Sequence, residues 1–269
     1  MSFEEIIEQN RQNFVRFNDA KVNRFQQLFA NQNVKKVINS IPILLSVNDA
    51  KLPGYVAGQP PVGIYNFTPD EESIKFLTTK FHTQQIYIKK QDPFILMLAV
   101  MGSVGTIAYT RDSDYDFWVC IDSRKAQPGG LALLQRKIDA IQTWVMQEVK
   151  VEVHLFLNDV ENIKKNIYAE DEDEAFGSTV GATLKDEFFR SSIIIAGKIP
   201  FWWVLPRVDD ASYQKLYAQI TDEQREKVFL DLGNLFEISK EDFLGAALFQ
   251  LIKALGNPFK SILKIGVLE

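Results

Sequence analysis

Three acidic side chains at strand-like spacing give this sequence its clearest chemical potential. Asp114 and Asp116 stand at the start of the apolar run Tyr115–Ile121, and Glu152 lies in the alternating segment Val151–Leu157. Side chains two residues apart on a strand point to one face, so the two aspartates project together. If the two strands are neighbours, Glu152 approaches them, and each close pair of charges costs about 4 kcal/mol at an effective dielectric of about 20.

Divalent cations would turn this repulsion into binding. Mg²⁺ is usually held by one or two carboxylates together with phosphate oxygens and water. Two such ions about 4 Å apart can clamp a phosphoryl group during an in-line displacement. The three carboxylates therefore predict a site for two metal ions and a phosphate-bearing substrate.

Gly102 and Ser103 predict the phosphate-binding part of this site. They lie between a predicted strand and a predicted short helix, where backbone N–H groups attract phosphate and a glycine lets the backbone approach. The chain has neither a P-loop nor a dinucleotide-binding fingerprint. A glycine–serine turn or a D-x-D pair is by itself more often structural, but the ordered combination is far more specific.

Strands and helices alternate through the middle of the chain, which is typical of an α/β core with a covered sheet. The expected elements are strands at Pro93–Met101, Tyr115–Ile121 and Val151–Leu157, a short helix at Ser103–Arg111, an amphipathic helix at Leu131–Lys150 and a solvated acidic loop at Tyr168–Ser178.

Helical patterns flank this core. They cover residues 2–31, a short helix around Val34–Ile38 before Pro42, a helix after a Thr68–Pro69 cap, and the chain from Leu184 onward except for Gly197–Arg207. We therefore divide the chain into an N-terminal helical region and loop (1–72), a core (73–180) and a helical domain (181–269), with three or four helices expected in residues 210–269.

Composition limits the class of protein. The chain has 269 residues, a net charge of −5, one cysteine and two histidines. The acidic balance argues against a nucleic-acid partner, and two histidines are too few for a His-rich zinc site. The sequence shows neither a signal peptide nor a membrane-spanning run, and the single cysteine suits a reducing compartment, so we expect a cytoplasmic protein.

Several segments together resemble one family. "SDYDFWVC", "LLQRKIDAIQTWV", "VEVHLFLND", "LKDEFFRSSIIIAGKIPFWWVLP" and "GAALFQLIKALGNPFKSILK" occur in the order found in the class I adenylate cyclases of bacteria, within the nucleotidyltransferase superfamily that includes DNA polymerase β. The resemblance covers roughly residues 41–268. It implies a mixed α/β nucleotidyltransferase core with N-terminal helices and a C-terminal helical domain that binds nucleotide.

The resemblance also implies a reaction and its residues. ATP would be converted to 3′,5′-cyclic AMP and pyrophosphate, with Gly102 and Ser103 at the phosphates. Asp114, Asp116 and Glu152 would be the catalytic metal ligands of two Mg²⁺ ions, for which Mn²⁺ can substitute. One ion would be shared by all three carboxylates, and the other would be held by Asp114 and Asp116. The resemblance does not identify a regulatory partner.

Other candidates lie in the helical half of the chain. Arg190 and Lys260 fall inside family-like motifs and are favoured for the triphosphate, and Ser178 either binds phosphate or caps a helix. The remaining lysines, among them Lys185 and Lys198, are more simply interpreted as solvated helix surface. Of the other residues considered, Trp202 and Trp203 are expected to pack in a core, His154 to be buried and hydrogen-bonded, and Asp159 to cap a helix.

Two other functions stay open on the residues alone. The same site could transfer AMP to another acceptor hydroxyl, in which case a second substrate is needed. A catalytically inactive nucleotide-binding regulator is also compatible with the fold. The intact set of Asp114, Asp116 and Glu152 argues against the inactive regulator, because a sensor need not keep all three carboxylates.

Overall fold

A mixed four-stranded sheet forms the centre of the molecule. The computed structural model describes residues 2–88, 92–102, 104, 109–110, 113–168 and 178–235, together with isolated residues between 244 and 262; for 178–183 it describes the backbone only. The strands are β1 (Ile95–Met101), β2 (Tyr115–Ile121), β3 (Val153–Asp159) and β4 (Ile193–Gly197), in the spatial order β3-β2-β1-β4. β2 and β3 are parallel, whereas β1 is antiparallel to both β2 and β4.

Seven α-helices are described around the sheet. They are α1 (Phe3–Gln27), α2 (Gln32–Ser46), α3 (Glu71–Lys80), α4 (Gly130–Val149), α5 (Val160–Lys164), α6 (Ser178–Ser191) and α7 (Asp210–Gln219). The short pair β5 (Ile199–Pro200) and β6 (Phe229–Leu230) forms a second, parallel sheet. This mixed α/β architecture confirms the expected fold class. Within the described ranges, no helix combines the length and apolarity that a membrane span requires.

Both faces of the central sheet are covered. On one face Leu98 and Phe117 belong to a core shared with α2 and α4. On the other face Ala99 and Trp118 belong to a core shared with α6, where Trp118 stacks on Phe188 with ring centroids 4.2 Å apart. The alternation of side chains along β1 and β2 therefore feeds two separate apolar layers.

Helix α1 covers the edge of the sheet at β4. The Asn18 side-chain amide donates to Ile194 O and its carbonyl accepts from Ile194 N–H, both at 2.9 Å. Lys21 of the same helix donates to the carbonyl oxygens of Ser191 and Ser192. These contacts satisfy backbone groups that an edge strand and a helix end would otherwise expose.

Four predictions about the elements are wrong. One is the helix expected over Phe229–Leu230, which is strand β6. Ile193–Gly197 is a strand rather than helix, because its three consecutive isoleucines suit a buried strand and its backbone pairs with β1. Helix α3 is capped by Asp70, whose side chain accepts from Ser73 N–H at 2.8 Å, and not by Thr68. Helix α2 continues through Pro42 to Ser46, because its packing outweighs the helix-breaking effect of proline, about 3 kcal/mol.

The other expected elements are in place or lie outside the description. β2 has the expected bounds, and β3 begins two residues later than expected. α4 differs from its prediction by one residue at each end, and α1 ends at Gln27 rather than at residue 31. Most of the predicted helix Ser103–Arg111, most of the acidic loop and most of the chain beyond Leu235 fall outside the described residues. The division into three regions stays a prediction, although β4 joins the central sheet from the third region.

Gly197 is the position where the β1–β4 pairing leaves no room for a side chain. Its φ is +117°, and an added Cβ would lie 2.5 Å from both Leu96 O and Met97 Cα. We predict that Gly197→Ala lowers the free energy of unfolding by about 3 kcal/mol, from combined backbone strain and overlap. Gly129→Ala is the control, since Gly129 has φ +75° but nothing within 4 Å, and should cost only about 1 kcal/mol. Equal losses in urea denaturation would contradict this.

Lys137 should make stability depend on pH. It is buried in α4, its Nζ donates to Gly54 O at 2.9 Å, and burial lowers its pKa to about 8 from 10.5. Between these values the unfolded state binds more protons, so the free energy of unfolding rises with pH. We predict that wild type gains about 3 kcal/mol relative to Lys137→Met between pH 8 and 10.5. The exposed Lys75→Met is the control. A difference between wild type and Lys137→Met that does not change with pH would contradict the prediction.

Candidate functional site

Three strand ends meet at one end of the central sheet. Because β1 is antiparallel to β2, the last residue of β1, Met101, pairs with Asp116 near the start of β2. Because β2 and β3 are parallel, Asp116 also pairs with His154 near the start of β3. The segments that carry the predicted acidic residues are therefore neighbours, as the sequence analysis required.

The side chains at this end of the sheet form a group suited to a metal ion. One ligand atom each from Asp114, Asp116 and His154 lie within 4.8 Å of one another, and all three residues are half-buried. Carboxylate oxygen and imidazole nitrogen are both common metal ligands. The closeness of the two aspartates is what their i, i+2 spacing predicts.

Glu152 lies one contact away from this group. It precedes β3 by one residue, and its carbonyl accepts from Tyr115 N–H at 3.1 Å, which extends the strand pairing. Its carboxylate Oε1 lies 3.2 Å from His154 Nε2, and its side chain is 63% exposed. The His154 side chain is itself 40% exposed, so the expectation that His154 is buried is wrong.

Gly102 adjoins the metal-binding group. Its φ is +86°, and an added Cβ would lie 3.5 Å from Asp116 Oδ2. Its N–H donates to Ser191 Oγ at 3.4 Å, and that hydroxyl donates to Glu187 O at 2.7 Å. Ser103 lies outside the described residues. The end of α6 thus reaches the phosphate-binding segment that the sequence predicted.

The structure describes only some of the other residues that were predicted to bind phosphate. Arg190 lies in the last turn of α6 and forms an ion pair with Asp186 at 2.7 Å. Ser178 begins the same helix, and Lys260 lies outside the described residues. The assignment of these three to phosphate binding stays a prediction.

Two lysines are buried rather than solvated. Lys185 and Lys198 are 1% and 5% exposed, which contradicts their interpretation as helix surface. Burial lowers the pKa of each to about 8. Lys198 Nζ donates to Arg225 O at 3.2 Å and lies 4.4 Å from the centre of the Tyr65 ring. Both side chains thus belong to the packing of the molecule.

The expectations for the tryptophan pair and for Asp159 are confirmed. Trp202 stacks on Phe189 with ring centroids 4.7 Å apart, and Trp203 packs 5.3 Å from Phe14. Asp159 caps α5 by accepting from Glu161 N–H at 2.8 Å. Neither tryptophan is therefore needed to explain a nucleotide site.

Two residues near the site went unrecognised in the sequence. The strand pattern placed His154 on the face of the carboxylates, but it was interpreted as a buried histidine rather than a ligand. Ser191 gave no signal, because its contact with Gly102 joins residues 89 positions apart.

Comparison with known proteins identifies the family. The family model described as "Adenylate cyclase NT domain" matches residues 6–203, which include Gly102, Asp114, Asp116 and Glu152. The adenylate cyclases of Escherichia coli K12 and Shigella flexneri are each 34% identical over 250 residues, covering 87% of this chain and 28% of the relative.

The adenylate cyclase of Proteus mirabilis is 34% identical over 257 residues, covering 91% of this chain and 29% of the relative. No solved structure gives a significant match. The chain thus spans less than a third of the length of these relatives. Since the family model covers well over half of the chain, the chain belongs to the adenylate cyclase family, in its N-terminal domain, as its resemblance to the bacterial class I enzymes predicted.

Proposed function

We propose that this chain carries the catalytic site of an adenylate cyclase that converts ATP to 3′,5′-cyclic AMP and pyrophosphate. The observation that supports the proposal is that one ligand atom each of Asp114, Asp116 and His154 lies within 4.8 Å of the others, at the end of the sheet beside Gly102. Family membership supplies the reaction. This chain spans 28% of the length of the Escherichia coli K12 adenylate cyclase. We propose that this part alone is active.

The donor set fits divalent metal ions. Two half-buried carboxylates converge at the end of the central sheet. Mg²⁺ favours this combination of a few carboxylates with phosphate oxygens and water. When bound, such ions would lower the pKa of the attacking hydroxyl and neutralise charge on the leaving pyrophosphate. Our proposal is therefore a site for two divalent ions, Mg²⁺ or Mn²⁺.

The aspartates and Glu152 give the site its negative charge. Asp114 and Asp116 would hold the ions, which would in turn orient the triphosphate for attack by the ribose 3′-hydroxyl. Glu152, as the third carboxylate, adds negative charge next to His154. A fixed cluster of this kind stabilises bound cations without reorganising during the reaction.

Gly102 keeps space open beside Asp116. A side chain there would be strained at φ +86° and would reach the surroundings of the Asp116 carboxylate. The bond from Gly102 N–H to Ser191 Oγ holds the backbone in this conformation. We propose that Gly102 and Ser103 bind the triphosphate, with Ser178, Arg190 and Lys260 as further phosphate ligands.

Asp116→Asn tests the proposed reaction. The purified chain is incubated with ATP and Mg²⁺, then with Mn²⁺, and the nucleotides are separated by mass. Wild type should form cyclic AMP and pyrophosphate. Asp116→Asn should be slower by about 1,000-fold or more, because it loses a carboxylate that holds the metal and with it several kcal/mol of charge stabilisation.

Asp139→Asn provides a matched control for this test. Asp139 is exposed on α4, where it accepts from Gln135, so its loss should leave the rate unchanged. Equal rates for wild type and Asp116→Asn would contradict the proposed site. Metal-dependent binding of ATP without any cyclic product would favour a transferase that needs an acceptor, or a nucleotide sensor.

A further inference from the structure

His154 is the feature of this site that a purely carboxylate metal centre does not explain. Its imidazole supplies one of the three ligand atoms that lie within 4.8 Å of one another. It pairs with Asp116 across the parallel strands β2 and β3, so the sheet fixes its distance from that carboxylate. Two side chains therefore lie where a third carboxylate was expected: His154, which is part of the group, and Glu152, which contacts His154.

Two side chains lie beside the His154 ring. Glu152 Oε1 lies 3.2 Å from Nε2 on one side. The Phe156 ring, two residues along the strand, stacks with its centroid 5.8 Å away and at an interplanar angle of 23°. A carboxylate next to one ring nitrogen favours the proton at that nitrogen, and the other nitrogen then carries the lone pair that an ion needs, which is the usual arrangement around metal-binding histidines.

A nitrogen ligand changes which metal the site prefers. Mg²⁺ is a hard ion that binds almost entirely through oxygen and releases its water reluctantly. First-row transition ions accept imidazole nitrogen readily, and Mn²⁺ also retains a preference for carboxylate and phosphate oxygen. Two carboxylates and one imidazole therefore suit Mn²⁺ better than Mg²⁺.

We propose that His154 binds directly to the metal held by Asp114 and Asp116, that Glu152 orients its ring, and that this ligand makes the site prefer Mn²⁺ to Mg²⁺. The inference rests on the proposed function, in which the two aspartates hold a catalytic metal. It assigns Glu152 a positioning role through His154.

Mn²⁺ itself is the probe for this inference. The untagged full chain is titrated with Mn²⁺, and binding is followed by loss of the free-ion electron paramagnetic resonance signal, with Mg²⁺ as competitor. Electron spin echo modulation then detects nitrogen-14 on the bound ion. Wild type should show imidazole nitrogen coupling. His154→Gln should lose that coupling and bind Mn²⁺ at least tenfold more weakly, with a smaller change for Mg²⁺.

The chain offers a matched control because it has only two histidines. His82 has φ +50°, a backbone conformation that asparagine tolerates, so His82→Asn should keep the coupling and the affinity. Glu152→Ala should keep nitrogen coupling but bind Mn²⁺ about tenfold more weakly, because the ring is no longer oriented.

The outcomes separate this inference from the proposed function. Mn²⁺ that binds wild type without nitrogen coupling, while Asp116→Asn abolishes both Mn²⁺ binding and cyclic AMP formation, overturns the role of His154 and leaves the cyclase proposal standing. Coupling that persists in His154→Gln likewise overturns it. If Mn²⁺ binding is unaffected by Asp116→Asn and no cyclic AMP forms, both proposals fail.

Discussion

The position of Asp114 and Asp116 depends on the parallel pairing of β2 with β3. This pairing runs through seven consecutive residue pairs, from Tyr115 with Val153 to Ile121 with Asp159. The side chains of a strand alternate between faces, so a slip of one residue would move both aspartates to the opposite face of the sheet and exchange the side chains that enter the two apolar layers. The two buried layers on either side of the sheet oppose such a slip. The same apolar packing that stabilises the fold therefore holds the two aspartates together at this end of the sheet.

Helix α6 links the core to the site. It supplies Phe188, which stacks on Trp118, on the face of the sheet that carries Asp116. Its last residue, Ser191, accepts from Gly102 N–H, and Lys21 of α1 binds the carbonyl oxygens at the same helix end. The packing of α6 on the sheet thus helps to set the position of Gly102.

Strand β2 and the convergence of the two aspartates could be predicted from the sequence, because both follow from local residue spacing. Alternation and β-branched or aromatic residues fixed the bounds of β2, and the i, i+2 rule placed its carboxylates. Three isoleucines in a row gave β4 no period, so a helix and a buried strand could not be distinguished. Thr68 and Asp70 are both good cap residues, and only the fold decides between them.

The remaining differences come from contacts that are distant in sequence. Ser191 meets Gly102 from 89 residues away, and the burial of Lys185 and Lys198 depends on elements packed around them. His154 shows a subtler limit. Strand parity placed it on the correct face, but parity does not tell whether a side chain at a strand start is covered or open, and here it is partly open.

Helix α1 has a consequence in time rather than in space. Its Asn18 bonds Ile194, which is 176 positions later in the chain. At a synthesis rate of about 5–20 residues per second, Ile194 leaves the ribosome roughly 9–35 s after Asn18. During that interval the helix has its local supports, such as the capping box at Ser2, but its buried residues Ile7 and Phe14 have not met their partners. The apolar face of the helix therefore stays uncovered in the nascent chain until the edge strand that it covers has been made.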